Sequence, residues 1–147
     1  MYKESLMNGM LTELECTKRF IKLGFTVSIP YGNNDRYDMI IDNGNNMYRI
    51  QIKTAHKNDN GSYTVQVCNK VNTMSQNKIK HYTKEQIDFI VTIIEDQLVV
   101  IPVETIENST QKIFRTELPK SGTTSHCNLI KDFSVEKNLL YHTDDAG

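Results

Sequence analysis

The most restrictive feature of this 147-residue chain is the loop Asn43-Gly44-Asn45-Asn46, which separates two segments of alternating polarity. Asparagine and glycine tolerate the left-handed backbone of tight turns, so this loop predicts a β-hairpin. If Asp42 and Met47 close the loop, the numbers of paired residues add up to 89, and Asp38 lies opposite Gln51. The loop therefore predicts two antiparallel strands, 37–42 and 47–54, in a defined register.

Side chains alternate between the two faces of a strand, so this register divides the hairpin into a polar and an apolar face. The polar face is predicted to hold Asp38, Ile40, Asp42, Arg49, Gln51 and Lys53. The apolar face is predicted to hold Tyr37, Met39, Ile41, Tyr48, Ile50 and Ile52. Opposed residues have Cβ atoms about 5 Å apart, which lets two of them share one divalent ion. The alternative is a solvent-exposed sheet face that carries a few charges.

A helix is predicted from about Leu6 to Leu23, because apolar residues recur at helical spacing and Gly24 ends the pattern. At 100° per residue, one stripe of this helix holds Leu6, Met10, Glu13, Thr17 and Phe20. Glu13 is thus predicted to face the sheet, where an acid is costly unless it is paired or binds a metal. Glu15 lies on another face and is predicted to pair with Arg19.

The remaining chain predicts an α+β fold in the order α-β-β-β-(β)-α-β-β, with one sheet and a helix on each face. The predicted strands are 25–30, 63–68, 88–94, 97–103 and 113–116, and the second helix is 73–82. A short helix is expected after Glu104 and a loose end from His142. The length favours a single domain over residues 1–147, with a C-terminal extension from about residue 105.

The formal net charge of −1 conceals a basic segment. Residues 49–84 contain seven Lys or Arg and a single acid, Asp59, and are also rich in Asn and Gln. Such a segment suits phosphate, sugar and base contacts, although a solvated basic surface explains the charge equally well. Three cysteines far apart and no apolar run of about 20 residues favour a cytoplasmic chain without a membrane span.

Glu13, Tyr37-Asp38 and Gln51-Ile52-Lys53 together resemble the motif of the PD-(D/E)XK nuclease superfamily, in its variant with Gln at the second acidic position. The resemblance runs from about Asn8 to Val103 and continues weakly to Phe133. It implies an α/β (α+β) restriction endonuclease-like core, a mixed four- to five-stranded sheet flanked by helices.

The resemblance also implies a Mg²⁺-dependent endodeoxyribonuclease, with Mn²⁺ as a possible substitute. It assigns catalysis to Glu13, Asp38, Gln51 and Lys53, and metal binding to Asp38, Gln51, the carbonyl of Ile52, and Glu13. The DNA-binding candidates are Arg36, Arg49, Lys57, Lys70, Lys78, Lys80 and Tyr82.

A homing endonuclease that cuts double-stranded DNA is the first interpretation within this superfamily, assembled as a homodimer or homotetramer. A Holliday junction resolvase acting on branched DNA and a restriction-type endonuclease are the alternatives. A silent DNA- or protein-binding module is a further alternative, because Gln51 removes one negative charge from the metal site.

Overall fold

One α-helix and eleven β-strands occur within residues 3–32, 36–72, 77–119 and 128–140, which are the residues that the computed structural model describes. The helix is α1 (Glu4–Lys22). The first strands are β1 (Thr26–Ser28), β2 (Met39–Asp42), β3 (Met47–Ile52), β4 (Ala55–Lys57), β5 (Tyr63–Gln66) and β6 (Cys68–Asn72). The later strands are β7 (Asn77–His81), β8 (Phe89–Ile94), β9 (Gln97–Pro102), β10 (Gln111–Arg115) and β11 (Asn128–Leu129).

The predicted hairpin lies inside a five-stranded mixed sheet of order β1-β2-β3-β8-β9. Strands β3 and β8 run parallel, and the other neighbours run antiparallel. Met39 pairs with Ile50 and Asp42 with Met47, so the predicted register is confirmed. Gly44 takes the left-handed backbone that the turn requires, with φ of +95°.

The second face of this sheet differs from the prediction. Strands β4, β5, β10 and β11 form a four-stranded sheet that covers it, where a helix was expected. Residues 77–81, predicted as helix, form β7 and pair with β6 in a separate two-stranded ribbon. The helix prediction is therefore wrong for these residues, because pairing with β6 outweighs weak local propensity. Residues 73–76 of that prediction lie outside the described residues.

The C-terminal predictions are partly confirmed. Strand β10 covers most of the strand predicted at 113–116. The helix expected after Glu104 is only a 3₁₀ turn, Val103–Thr105. A second 3₁₀ turn, Ile130–Phe133, and a π-helical turn, Glu136–Leu140, contribute Ile130 and Leu139 to the core. The end predicted from His142 lies outside the described residues.

Two apolar clusters hold the layers together. One lies between α1 and the five-stranded sheet and contains Phe20, Met39, Ile50 and Leu139 among others. The other lies between the two sheets and contains, among others, Val65, Ile90, Phe114 and Ile130. The faces predicted for the hairpin agree with this division for Met39, Ile41, Ile50 and Ile52, which are all buried under α1. Tyr37, predicted on the same face, packs instead against the cluster between the two sheets.

The N-terminal half of α1 departs from the predicted burial. Phe20 is fully buried, but Leu6 and Met10 on the same stripe are 54% and 47% exposed. The buried side chains of α1, Cys16 and Phe20, therefore lie in its C-terminal half. Among the described residues, no helix is long and apolar enough to cross a membrane.

Candidate active site

Asp38 lies immediately before β2 and is fixed over the end of β3. Its backbone N–H donates to the carbonyl of Ile50 at 2.8 Å, and its Oδ2 accepts from the N–H of Ile52 at 2.7 Å. Burial raises the pKa of Asp38, and the hydrogen bond from Ile52 and the charge of Lys53 only partly oppose this shift. The carboxylate is thus held in place by one oxygen, in surroundings that do not fully balance its charge.

Glu13 approaches the same place from α1. Burial, and then the negative charge of Asp38, raise the pKa of Glu13. The hydroxyls of Thr12 and Thr54 lie 3.1 Å apart and tie this part of α1 to the residues that follow β3. Glu15, in contrast, pairs with Arg19 at 3.0 Å, as predicted from the helical angle. The predicted helix register is therefore confirmed at both acids.

Helix α1, which carries Glu13, and the side chain of Gln51 lie on different faces of the sheet. Helix α1 packs on the face of Met39 and Ile50, whereas Gln51 pairs with Ile90, which belongs to the cluster on the opposite face. Glu13 and Gln51 therefore reach the site from opposite sides of the sheet. They meet at the end of β3, where the Asp38 carboxylate takes the Ile52 N–H.

Gln51 and Ile52 supply the neutral oxygens of the site. The side-chain Nε2 of Gln51 lies 3.5 Å from the carbonyl oxygen of Ile52. Rotation of this amide would bring its Oε1, a metal-ligand atom, beside that carbonyl. The two groups assigned as neutral ligands therefore lie next to each other.

Lys53 completes the site on the side of the second sheet. Its Nζ lies 3.4 Å from the carbonyl oxygen of Cys68 and 5.3 Å from the centre of the Tyr82 ring. The guanidinium carbon of Arg36 lies 4.5 Å from the centre of the same ring. The Arg36 atoms Nε and Nη2 are buried without a hydrogen-bond partner among the described residues. Two cations are thus held beside one aromatic ring, next to the carboxylates.

The donor set fits a hard divalent cation. All candidate ligands are oxygens, which Mg²⁺ prefers, and both carboxylates have a raised pKa that a bound cation would reverse. The described residues contain no group of three or more His, Cys, Asp and Glu that could hold a metal. Gln51 and the Ile52 carbonyl are the neutral oxygens that could complete such a site beside Glu13 and Asp38.

The candidate DNA contacts fall into two groups. Lys57, Lys70, Lys78 and Lys80 are exposed, and Arg36 is half-buried beside the site. Arg49 is occupied by the protein, since its Nε lies 3.4 Å from Asp88 Oδ2 and its Nη2 donates to the Lys84 carbonyl at 2.7 Å. Tyr82 is only 3% exposed, so it supports cations and does not offer its ring to solvent. Arg49 and Tyr82 are thus placed differently from the prediction.

Sequence reasoning missed three contacts of the site: the Thr12–Thr54 pair, the Cys68 carbonyl beside Lys53, and the Tyr82 ring between two cations. None has a local signal, because each joins residues from different elements. The burial of Tyr82 also depends on the packing between the two sheets.

An aspartate before one strand, a Gln-x-Lys segment at the end of the next and a glutamate from the first helix have the order of a PD-(D/E)XK nuclease motif. A family model described as PD-(D/E)XK endonuclease matches residues 4–136, and the chain belongs to this family. It is accordingly a nuclease.

A solved structure titled "The structure of a bacterial homing endonuclease: I-Ssp6803I" shares the fold. The TM-score is 0.80 at 18% identity, over 98% of this chain and 97% of the other. The expected α+β fold with a mixed sheet is therefore confirmed. No curated protein matches this chain.

Proposed function

We propose that the protein is a divalent-metal-dependent DNA endonuclease, and specifically a homing endonuclease that cuts double-stranded DNA. The observation that carries this proposal is the meeting of Asp38, Glu13, Gln51 and Lys53 at the end of β3, with both carboxylates at raised pKa. The match to a bacterial homing endonuclease over nearly the whole of both chains supports the choice of homing over the other nuclease types.

The proposed metal is Mg²⁺, with Mn²⁺ as a substitute, held by Asp38, Gln51, the Ile52 carbonyl and Glu13. Such an ion supplies polarisation of the scissile phosphate and activation of water. The Ile52 N–H holds Asp38 Oδ2 and so directs the rest of that carboxylate. Glu13 adds the second negative charge from α1. These residues would hold the ion beside the reacting phosphate.

Lys53 provides the positive charge of the reaction. We assign its ammonium to orienting the attacking water or to stabilising charge on the phosphoryl oxygens. Its long contact to the Cys68 carbonyl leaves two of its three N–H groups without a partner among the described residues. Arg36, half-buried and placed beside the same Tyr82 ring as Lys53, is assigned to a neighbouring phosphate.

The proposed DNA surface contains Arg36, Lys57, Lys70, Lys78 and Lys80. If these residues contact phosphates, log affinity falls with log salt at a slope of about −0.9 per phosphate neutralised. Replacing Lys78 and Lys80 together with Ala is expected to flatten the slope by about 1–2. Lys131→Ala, an exposed lysine in the 3₁₀ turn Ile130–Phe133 and not one of these residues, serves as the matched control. A DNA affinity that does not change with salt concentration would show that DNA does not bind to this surface.

The protein is proposed to assemble as a homodimer or homotetramer, so that two nuclease centres reach two DNA strands. The supporting feature is an apolar stripe on α1 that is exposed in the isolated chain: Leu6, Met7, Met10, Leu11 and Leu14. Exposed patches of this kind mark association surfaces. Leu11→Glu with Leu14→Glu is expected to lower the mass measured by light scattering to that of a monomer. An unchanged mass would show that this stripe is not part of the interface.

The test of the activity is metal-dependent nicking of plasmid DNA, with the Lys53→Ala variant as the matched control. Cleavage by the native chain in Mg²⁺ and none by the variant supports an enzyme. DNA binding without cleavage in Mg²⁺ or Mn²⁺ would instead identify a silent binding module. Comparison of a four-way junction with linear duplex separates a resolvase, which prefers the junction, from a homing or restriction-type enzyme. We place this activity in the cytoplasm, where free thiols such as Cys16 and Cys68 persist.

A further inference from the structure

We propose that the β6–β7 ribbon enters the DNA major groove and reads base edges beside the scissile phosphate through Asn69, Lys78 and Lys80. This inference rests on the proposed function, because it places the scissile phosphate at the Lys53 site. It adds an element that determines sequence preference to a site that otherwise performs only chemistry.

The ribbon has the shape that this role requires. It belongs to neither of the two larger sheets, and its strands are five residues each. The major groove, about 12 Å wide, admits a two-stranded ribbon. Five residues at about 3.3 Å each give a length of about 16 Å, which corresponds to roughly four or five base pairs.

The two faces of the ribbon differ. Asn69 pairs directly with Lys80, and Lys78 lies two residues from Lys80, so all three side chains share one face. These three residues are exposed. The opposite face begins with Cys68, which is fully buried, and His81, whose Nδ1 lies 3.1 Å from the carbonyl oxygen of Ser109. At the base of the ribbon, the face that carries Asn69 is therefore exposed to solvent, whereas the face that carries Cys68 packs against the protein.

The chemistry of the open face suits base edges. Lysine donates to the O6 and N7 of guanine, and an asparagine amide pairs with the N6 and N7 of adenine. The amide of Asn69 and the ammonium of Lys80 lie next to each other on this face. Neither residue has a salt bridge or side-chain hydrogen bond recorded among the described residues, whereas Arg49 in the same basic segment is fully engaged.

The ribbon begins and ends at the catalytic lysine. The Cys68 carbonyl, at the start of β6, lies 3.4 Å from Lys53 Nζ, and the Tyr82 ring, just after β7, lies 5.3 Å from it. A phosphate held at Lys53 is thus adjacent to the base of the ribbon. The bases that the ribbon reaches are therefore within about five base pairs of the cut.

The experiment offers a pool of duplexes with randomised sequence to the full chain. Cut products in Mg²⁺ are sequenced, and duplexes retained by the protein without metal are sequenced separately. Native protein is compared with Asn69→Ala, Lys80→Ala and the control Lys131→Ala. We expect the two ribbon variants to remain folded and to lose about tenfold of the preference at one or two positions within five base pairs of the cut. Lys131→Ala keeps the native preference.

Several outcomes would overturn the inference. Native preferences in both ribbon variants would do so, as would losses restricted to positions far from the cut or a uniform loss of affinity without a change in preference. Retained native duplexes that show no sequence preference would also overturn it. The native chain could cut no DNA while the ribbon variants still change the sequences of the retained duplexes. In that case the proposed activity fails and the reading role of the ribbon stands.

Discussion

Arg49 lies within β3 and Lys53 directly follows it, four residues later, yet the protein uses the two cations differently. The guanidinium of Arg49 contacts the Asp88 carboxylate and the carbonyls of Lys84 and Glu85. The ammonium of Lys53 has one long contact, to the Cys68 carbonyl. One end of the strand thus carries a cation whose donors are satisfied by the protein, and the other a cation with donors to spare.

The carboxylates beside these two cations, Asp88 and Asp38, also differ in how fully the protein balances their charge. Burial alone would raise the pKa of Asp88, but hydrogen bonds from the Arg49 backbone and side chain and from Lys84 outweigh it and lower the pKa. Burial raises the pKa of Asp38 despite the Ile52 N–H and Lys53. A saturated charge cluster stabilises the fold, whereas an unbalanced cluster is the arrangement that the proposed cation and phosphate would complete. Both ends of the strand carry a cation beside a carboxylate. They differ in how many N–H groups of that cation already have a partner in the protein.

The largest expected effect separates the two cations. Lys53→Ala is expected to abolish cleavage while leaving DNA binding nearly unchanged, because it removes charge stabilisation from the transition state. Asp38→Ala is expected to do the same by removing a metal ligand. Arg49→Ala should lower thermal stability but cleave normally below its melting temperature. Plasmid cleavage and DNA-binding titrations measure these outcomes, and full cleavage by either Lys53→Ala or Asp38→Ala would refute the assignment of the site.

The next effect separates two acids on α1. Glu13→Gln is expected to reduce cleavage by orders of magnitude, because the site then loses one of two anionic ligands. Glu15→Gln is expected to cleave like the native chain and to melt at nearly the same temperature, since its pair with Arg19 is on the surface. Cleavage and melting are measured side by side. An inactive Glu15→Gln together with an active Glu13→Gln would show that Glu13 is not the acid of the site.

Gln51 gives a smaller effect that concerns the metal. Gln51→Ala is expected to raise the Mg²⁺ concentration needed for half-maximal cleavage, because one oxygen ligand is lost. Gln51→Glu is expected to lower that concentration, since a carboxylate binds Mg²⁺ more tightly than an amide. Titration of cleavage against Mg²⁺ measures both. If Gln51→Ala keeps the native Mg²⁺ requirement, Gln51 is not a ligand.

The smallest effect is on stability and has opposite signs at the two ends of β3. Asp88→Asn is expected to cost about 1–2 kcal/mol at neutral pH, because charged hydrogen bonds are weakened. Since the pKa of Asp88 is lowered, this cost persists above its ordinary value of 3.8 and disappears as pH falls through the folded pKa.

Asp38→Asn is expected to increase the stability of the fold when no metal is present. Because the pKa of Asp38 is raised above its ordinary value of 3.8, ionisation lowers the stability of the native chain as pH rises from there through the folded pKa. The variant avoids that loss and gains stability relative to the native chain at neutral pH. Urea unfolding at several pH values measures both variants, and equal signs would contradict the contrast between the two carboxylates.

The hairpin shows how far sequence reasoning reaches. The loop at 43–46 and strand alternation predicted the pairing of Met39 with Ile50 and the burial of both, because these depend on neighbours along the chain. The helical angle correctly separated Glu13 from Glu15. The prediction of a helix at 73–82 was wrong where residues 77–81 pair with β6, since pairing with the preceding strand outweighs the weak helical propensity of the segment.

What the sequence itself determined was local: the period of each element, the hairpin register, and the residue types at the ends of β3. The tertiary structure decided what those residues do. It put a second sheet where a helix was expected and occupied Arg49 with Asp88. It also buried Tyr82 beside Lys53 and Arg36. The physical reason is that burial and the saturation of polar groups depend on contacts between segments far apart in the chain, which no local pattern specifies.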